Sequence, residues 1–587
     1  MSRDAASRGR AEEDSSRPSR RGFLRGAGIA AAASGVGAAA GAGGAFSTAP
    51  DAAASGLPAG LSGLRPRLEG PGYDHVVCVM FENRSFDTLL GYLYSPEHGG
   101  GELPPGRRFE GIPKAGLRNT APDGTVVEVH PYSGPTDRVM SSPDPDPGEE
   151  FPFVNTQLYD AVLPAANRQH RIPTLLPPYN APPEGTPATM DGFVRDYVLK
   201  FETENRREPT VEEYRQILGC FTPPMLPVLS TLARSFAVYD HWHAAVPSQT
   251  YPNRSFFHAS SSNGWVTNAF DPGIAKWLDP EQNTAVTIFN RLEEAGVPWC
   301  VYYDDRQLVS LTGVIHEPHL RPYWKTRFRT MSRFWEDTAN GTLPAYSFIE
   351  PRLVFDHNDM HPPVGPNTRG YVDGDLIEGS AISDIRAGDA LLHSIYTAIR
   401  ESASPTGSNA MNTTFLITFD EHGGTYDHVP PPEATPPALP ERTEMDFAFD
   451  RLGVRVPAIV VSAYTAPGTV VNQPMHHGSL IATLCERWGL DPLTARDLDA
   501  PTIRNALNLT VPRDPATWPT TFPLYRPPNP ENSPPEEGKD DDRPLSPPGA
   551  GLMALLVEKF EPGQPVPTTY ADAWALIHRY GDGLFGR

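Results

Sequence analysis

Residues 73–93 read YDHVVCVMFENRSFDTLLGYL. Val76–Phe81 is an apolar run suited to a buried strand, and Ser85 stands where a cap would open a helix carrying Phe86, Leu89, Leu90 and Leu93 on one face. Glu82 and Asn83 fall between the two, where strand gives way to helix. In open α/β sheets that junction, outside the carboxyl end of a strand, is where ligands bind. A carboxylate beside an amide suits a hard cation. The same residues suit a turn in which Asn83 and Ser85 only cap a helix, and this stretch leaves both readings open.

The arrangement recurs further along. Thr413–Phe419 (TTFLITF) and Val456–Val461 (VPAIVV) are near-continuous apolar runs, as in strands covered on both faces. Asp420-Glu421-His422-Gly423-Gly424 follows the first of these directly, with Asp427-His428 shortly after. Two strand ends with adjacent oxygen ligands suit a cage for a divalent ion. A third cluster, Ala245–Arg254 (AVPSQTYPNR), offers Ser248 and Thr250, with Ser255 next in the chain. A hydroxyl nucleophile must be deprotonated and aimed, and all three qualify by chemistry. The competing reading is a proline turn whose hydroxyls bond only to backbone. Histidines complete the set: His357 and His361 in FDHNDMHPP, and His476-His477 before a helix opening at Gly478. A histidine at such a place can donate to phosphate oxygens. Ala381–Arg400 and Gly478–Leu490 carry helical apolar spacing.

The chain has 587 residues and a formal charge of −22. Residues 1–49 hold seven arginines and four acids, so the remainder carries −25. Such a surface disfavours nucleic-acid backbones and anionic membranes. The four cysteines (Cys78, Cys220, Cys300, Cys485) are widely spaced and form no CxxC pair. Ser19–Arg25 (SRRGFLR) is a twin-arginine consensus, followed by a Gly/Ala-rich stretch to Phe46 and small residues at Ser47-Thr48-Ala49. The expectation is export with the twin-arginine translocon as partner, an extracellular, cell-wall or periplasmic location, and no permanent membrane span. The expected organisation is a signal peptide over 1–49, a linker over 50–70, a catalytic domain over 71–510, a proline-rich acidic linker or strap over 511–549, and a helical segment over 550–587. Residues 95–190 and 300–375 are long, Pro/Gly-rich intervals expected to form lids or pocket walls.

These motifs resemble a known family. FENRSFDTLLGYL resembles the ENRSFDxxxG signature of the bacterial phosphoesterase family that contains phospholipases C of the non-haemolytic type and periplasmic acid phosphatases. PSQTYPNRSFFHASSSNG is similar to its TxPNR segment, ITFDEHGGTYDHVPPP to its DEN(D/G)GxxDHVxPP segment, and VPAIVVSAY and HHGSLIATLCERWGL to its later strand and helix. The resemblance spans roughly residues 71–495, in the family's motif order. It implies an alkaline-phosphatase-like three-layer α/β sandwich with a mostly parallel central sheet and long loop insertions. It also implies a divalent metal (Ca, Mg, Mn or Zn) held by Glu82, Asn83, Asp420 and Glu421, with Thr250 as nucleophile. His361 and His477 align with catalytic-pocket histidines, and Asn83, His422 and His428 fall to the substrate. There are two departures. His422 stands where the family often has Asn, and Asp144–Glu149 (DPDPGE) lacks the histidine of the family's DPxHxW segment. The expected function is phospholipase C-type cleavage of phospholipid phosphodiesters through a phosphothreonyl intermediate. An acid phosphatase acting on phosphomonoesters is the alternative, and an inactive phosphate- or envelope-binding protein the alternative from another class.

Overall fold

A computed structural model describes residues 73–134, 137–270, 272–354, 357–363, 368–372, 375–379, 383–524 and 544–586. The twin-arginine segment, the 50–70 linker and residues 525–543 of the expected strap lie outside the described residues. An eight-stranded sheet organises the chain. Its strands are β1 His75–Phe81, β2 Ala237–Tyr239, β3 Trp299–Tyr303, β4 Phe328–Thr330, β5 Tyr346–Ile349, β6 Thr413–Phe419, β7 Ala458–Val461 and β8 Thr469–Val471. In space the order is β8-β2-β7-β6-β1-β5-β3-β4. Neighbours are parallel except β7, which runs antiparallel to both β6 and β2. Every residue of β6, and every residue of β1 after His75, is buried. That explains the unbroken apolar runs, because both faces of these central strands are covered. Burying side chains such as Val76, Val79 and Phe81 stabilises the fold by about 1.5–3 kcal/mol each. The expected α/β sandwich on a mostly parallel sheet is therefore what the chain adopts.

The helices that matter here are α1 Phe86–Leu90, α2 Phe151–Tyr159, α3 Phe193–Asn205, α4 Pro227–Ser235, α5 Thr250–Ala259, α6 Met331–Asn340, α7 Ile385–Glu401, α8 Gly478–Trp488, α9 Pro547–Phe560 and α10 Tyr570–Tyr580. α7 packs on α4 and α6, while α8 packs on α5. α7 starts at Ile385, four residues after the expected start; Asp384 caps it by accepting from the Arg386 N–H. The interval 95–190 contributes α2, which joins α3 in a separate apolar cluster (Val154, Leu158, Phe193, Val194, Tyr197) that also takes in Tyr426, just beyond the Asp420 turn. The long interval thus adds a second apolar cluster beside the Asp420 turn.

The C-terminal residues join the main core. α9 and α10 pack on each other and contribute Leu552, Leu556, Leu576 and Ile577 to it. α9 begins at Pro547, so the 549/550 boundary falls inside a helix. Residues 511–524 are packed rather than loose. Trp518 is buried against Phe236, and the Tyr396 hydroxyl donates to the Pro519 carbonyl (2.7 Å).

What positions the site is the register of β1 against β6, which pairs His75 with Thr413 and continues to Phe81 with Phe419. The two strands end level, with the Phe81 and Phe419 rings 5.4 Å apart. Glu82-Asn83 and Asp420-Glu421 thus leave the sheet side by side.

Candidate active site

Backbone and side chains lock the two strand ends together. The Asp420 N–H donates to the Phe81 carbonyl (3.0 Å), the Arg84 N–H to the Glu421 carbonyl (3.1 Å), and the Asn83 N–H to Asp420 Oδ1 (3.0 Å). Asn83 adopts a left-handed conformation (φ 56°), which asparagine tolerates better than most residues. Ser85 caps α1 as expected, accepting from the Thr88 N–H. Gly423 (φ +60°) lies so close that a Cβ there would stand 2.5 Å from both the Asn83 Cβ and its carbonyl oxygen. Only glycine fits that approach.

α5 delivers the third cluster. Thr250 is its first residue, and Pro252 sits in the first turn, where a missing N–H removes no intrahelical bond. The Asn253 amide staples the preceding loop, accepting from the Val246 N–H (3.0 Å) and donating to the Ser248 carbonyl (2.7 Å). The three candidate hydroxyls are then distinguishable. Ser248 donates to the Val266 carbonyl and Ser255 to the Ser261 carbonyl (2.7 Å), as in the turn reading. Thr250 Oγ1 instead faces Glu82 Oε2 at 3.4 Å. Arg254, one helical turn further, brings a buried guanidinium to the cage: Nη2 bonds Glu82 Oε1, and Nε lies 3.4 Å from Asp420 Oδ2.

Glu82, Asn83, Thr250, Asp420 and Glu421 are thus gathered at one point, all nearly or wholly buried. Burial pushes the Glu82 carboxyl well above its ordinary range, against the pull of Arg254. Burial does the same to Glu421, reinforced by Glu149 and Asp420. Three oxygens of this group, Asn83 Oδ1, Asp420 Oδ2 and Glu421 Oε1, are buried without a hydrogen-bond partner among the described residues. An unpaired buried carboxylate or amide oxygen is costly, and a hard cation takes oxygen donors of this kind. The donor set therefore fits a divalent metal ion.

The histidines divide. His361 is buried, with Nδ1 donating to the Pro362 carbonyl (2.7 Å) and Nε2 directed to Glu149 Oε2 at 4.0 Å; burial lowers its pKa to about 3. His422 Nε2 donates to Gln157 Oε1 (2.8 Å), leaving Nδ1 3.4 Å from Glu421 Oε2. Burial lowers its pKa to about 3 as well. Two expectations need correction. His477 uses both ring nitrogens internally, Nε2 donating to the Asp420 carbonyl (2.6 Å) and Nδ1 accepting from the Trp242 indole (3.4 Å). It positions the Asp420 turn rather than facing a substrate. His428 belongs to a different cluster, with Nδ1 on Asp87 Oδ2 (2.5 Å). There Arg455 holds Asp87 and Asp427 at 2.9 Å each, and this network fastens the Asp427-His428 segment to α1.

Two residues escaped the sequence reading. Arg254 lay inside a quoted motif, but its role depends on carboxylates more than 160 positions away. Glu149 reaches the cage from the loop before α2: Asn83 Nδ2 and Gln249 Nε2 both donate to it, the latter at 3.0 Å. Burial raises its pKa to about 7. The loop that lacks the expected histidine thus presents a carboxylate.

Acids and an amide at the carboxyl ends of two neighbouring strands thus face a hydroxyl at the start of α5. Residues 73–491 match the model of the Phosphoesterase family, and the chain belongs to that family. It is accordingly a hydrolase acting on phosphoric ester bonds. It is 30% identical over 475 residues to non-specific phospholipase C3 of Arabidopsis thaliana, covering 76% of this chain and 75% of the relative. It is 24% identical over 447 residues to phospholipase C A of Mycobacterium tuberculosis, covering 71% and 73%. Among solved structures, a protein in the alkaline phosphatase superfamily from Vibrio parahaemolyticus matches 48% of this chain and 65% of its own, with 15% identity and a TM-score of 0.29. Among the described residues, no helix is long and apolar enough to cross a membrane.

Proposed function

We propose that the protein is an exported, metal-dependent phospholipase C that cleaves phospholipid phosphodiesters through a phosphothreonyl intermediate. The observation that carries this reading is the Thr250 hydroxyl, held 3.4 Å from Glu82 Oε2 at the start of α5, beside oxygens of Asn83, Asp420 and Glu421 that have no hydrogen-bond partner among the described residues. Relatives named phospholipase C support the lipid substrate, and the twin-arginine motif at Ser19–Arg25 supports export.

In this mechanism Thr250 Oγ1 attacks phosphorus in line with the leaving alkoxide. The Thr250–O–P bond forms as the bond to the diacylglycerol oxygen breaks, and water then cleaves the phosphothreonine. A divalent ion held by Glu82, Asn83, Asp420 and Glu421 would lower the pKa of the hydroxyl and offset charge on the phosphoryl oxygens. Glu82 Oε2 orients the hydroxyl, 3.4 Å from Thr250 Oγ1. Arg254 fixes the Glu82 carboxylate for that contact, and His477 fixes the Asp420 backbone from behind. The N-terminus of α5 adds a positive end-charge beneath the nucleophile.

The test is Thr250→Ala, assayed on phosphatidylcholine, p-nitrophenyl phosphocholine and p-nitrophenyl phosphate. The reading expects turnover of the diesters to fall by at least about 10³-fold, as for loss of other enzyme nucleophiles, with phosphatidylcholine preferred by the parent over the monoester. Undiminished turnover would remove Thr250 from the mechanism, and a parent active on the monoester alone would make the protein a phosphatase.

A further inference from the structure

We propose that Asp146, Glu149 and His361 form a second divalent-cation site adjoining the Glu82/Asn83/Asp420/Glu421 cage. The proposal rests on the metal-dependent reading above and extends it from one ion to two.

The three residues come from two loops, and one ligand atom of each lies within 4.8 Å of the others. Neighbouring ligands of a single ion held at about 2.1 Å are about 3–3.5 Å apart, so the loops must draw together around an ion. Asp146 Oδ1 is buried and has no hydrogen-bond partner among the described residues. It lies 3.9 Å from His361 Nδ1. The His361 tautomer is the one a ligand needs. Nδ1–H is given to a backbone carbonyl, which leaves the Nε2 lone pair turned toward Glu149. Metal-bound histidines characteristically donate their other ring N–H in this way.

Hydrogen bonds tie the loops around the cluster together. The Asp146 N–H donates to the Pro363 carbonyl (3.0 Å), joining the two loops directly. Arg84, at the end of β1, spans the same gap, donating to the Ser142 carbonyl (2.7 Å) and the Met360 carbonyl (2.8 Å). Glu149 connects this site to the first, because the amide of Asn83 donates to it. Two oxygens and an imidazole nitrogen suit Mn²⁺, Zn²⁺ or Fe²⁺ better than Ca²⁺. The chemistry of the substrate points the same way. A phosphate entering beside Asn83 meets the Glu149 carboxylate, and a cation between the two anions converts a repulsion into a shared ligand. Two ions flanking one phosphoryl group would clamp the attacking and leaving oxygens together.

The experiment strips the full-length protein with chelator and titrates it with Mn²⁺ alone, counting bound ions by calorimetry and elemental analysis. The electron paramagnetic resonance spectrum of the bound Mn²⁺ is recorded alongside. The parent should bind two ions per chain with spin-coupled lines. Asp146→Asn and His361→Gln should each bind one, uncoupled, and Asp420→Asn should also bind one. Glu149→Gln, which changes no side-chain volume, supplies a further variant should either of the first two fail to fold, as judged by cooperative melting in chelator. Two ions retained in the Asp146 and His361 variants, or a single parental ion that those variants keep, would overturn the second site. A single parental ion that Asp420→Asn keeps and Asp146→Asn loses would instead uphold this site and sink the first cage. A parent that binds no Mn²⁺ would overturn both.

Discussion

Arg254→Met tests the cage most directly, because the arginine is the only cation that the described side chains bring to both Glu82 and Asp420. Arg254 and both of its partners are buried. Methionine keeps much of the apolar stem and removes the charge. In the metal-free protein that leaves two carboxylates unpaired in the interior, and breaking a buried pair from one side costs about 3–5 kcal/mol. An unfolding entropy of about 2.1 cal/mol/K per residue over roughly 500 folded residues gives about 1 kcal/mol/K, so the variant should melt about 3–5 °C below the parent in chelator. With saturating Mn²⁺ the order of effects changes. The variant's cage is one unit more negative, so an ion bound by Glu82, Asn83, Asp420 and Glu421 offsets more repulsion than it does in the parent. The Mn²⁺-induced rise in Tm should therefore be larger for Arg254→Met than for the parent. Scanning calorimetry of both proteins, with chelator and with Mn²⁺, gives the four numbers. If the variant melts within about 1 °C of the parent in chelator, or gains no more from Mn²⁺ than the parent does, these carboxylates do not form a charged cation cage.

Two further outcomes follow from other parts of the molecule. His316 is buried with neither ring nitrogen hydrogen-bonded among the described residues, and burial lowers its pKa to about 3. Below pH 6.5 the unfolded chain binds a proton that the folded histidine refuses. Its contribution is therefore complete above pH 6.5 and is lost at about 1.4 kcal/mol per pH unit as pH falls toward 3. His316→Phe should gain on the parent by about that amount per unit between pH 6 and 4 in thermal melts, and a pH-independent difference would contradict this account. Gly423→Ala should strain the left-handed turn by about 1–2 kcal/mol and push on Asn83, whose Cβ lies 2.5 Å from the new methyl position. As a disturbance behind a ligand, it should weaken Mn²⁺ binding by about 10–100-fold, and unchanged affinity by calorimetry would separate Asn83 from the cage.

The sheet and one side of the pocket could be read from the sequence because they are written in local patterns. TTFLITF is β6 to the residue, and the VVCVMF run falls inside β1, since strands buried on both faces must be apolar throughout. The match between Glu82-Asn83 and Asp420-Glu421 was visible as the same residue types at two strand ends, and the parallel register turned that repetition into contact. Ser85 was legible as a cap for a similar reason, since N-caps are set by neighbours three residues away. Histidine roles were not legible. Nothing in HHGSL says that His477 gives one nitrogen to Asp420 and the other to Trp242, because both partners are brought by separate elements. The packing of residues 511–524 was likewise not legible. Proline-rich composition disfavours regular structure but does not prevent Trp518 from packing on Phe236.

The far wall of the pocket shows how a missing residue can be misjudged. In the sequence, DPDPGE lacks the histidine of the family's DPxHxW segment, which bears on the leaving-group chemistry and the choice of substrate. In the fold the same loop is held by the Asp146–Pro363 and Arg84–Ser142 bonds, and it brings Glu149 against Asn83. This wall therefore carries a carboxylate beside Asn83. Glu82, Asp420, Glu421, Glu149 and Asp146 are gathered near a phosphate site where the buried arginines already have partners, Arg254 on Glu82 and Asp420, and Arg84 on the Ser142 and Met360 carbonyls. A phosphodiester is itself an anion, and an excess of buried carboxylates repels it strongly at low effective dielectric. A cation between the two sets of negative oxygens would relieve that repulsion. On that reasoning, the Glu149 carboxylate on this wall would make the proposed metal loading a condition for substrate binding as well as for the chemical step.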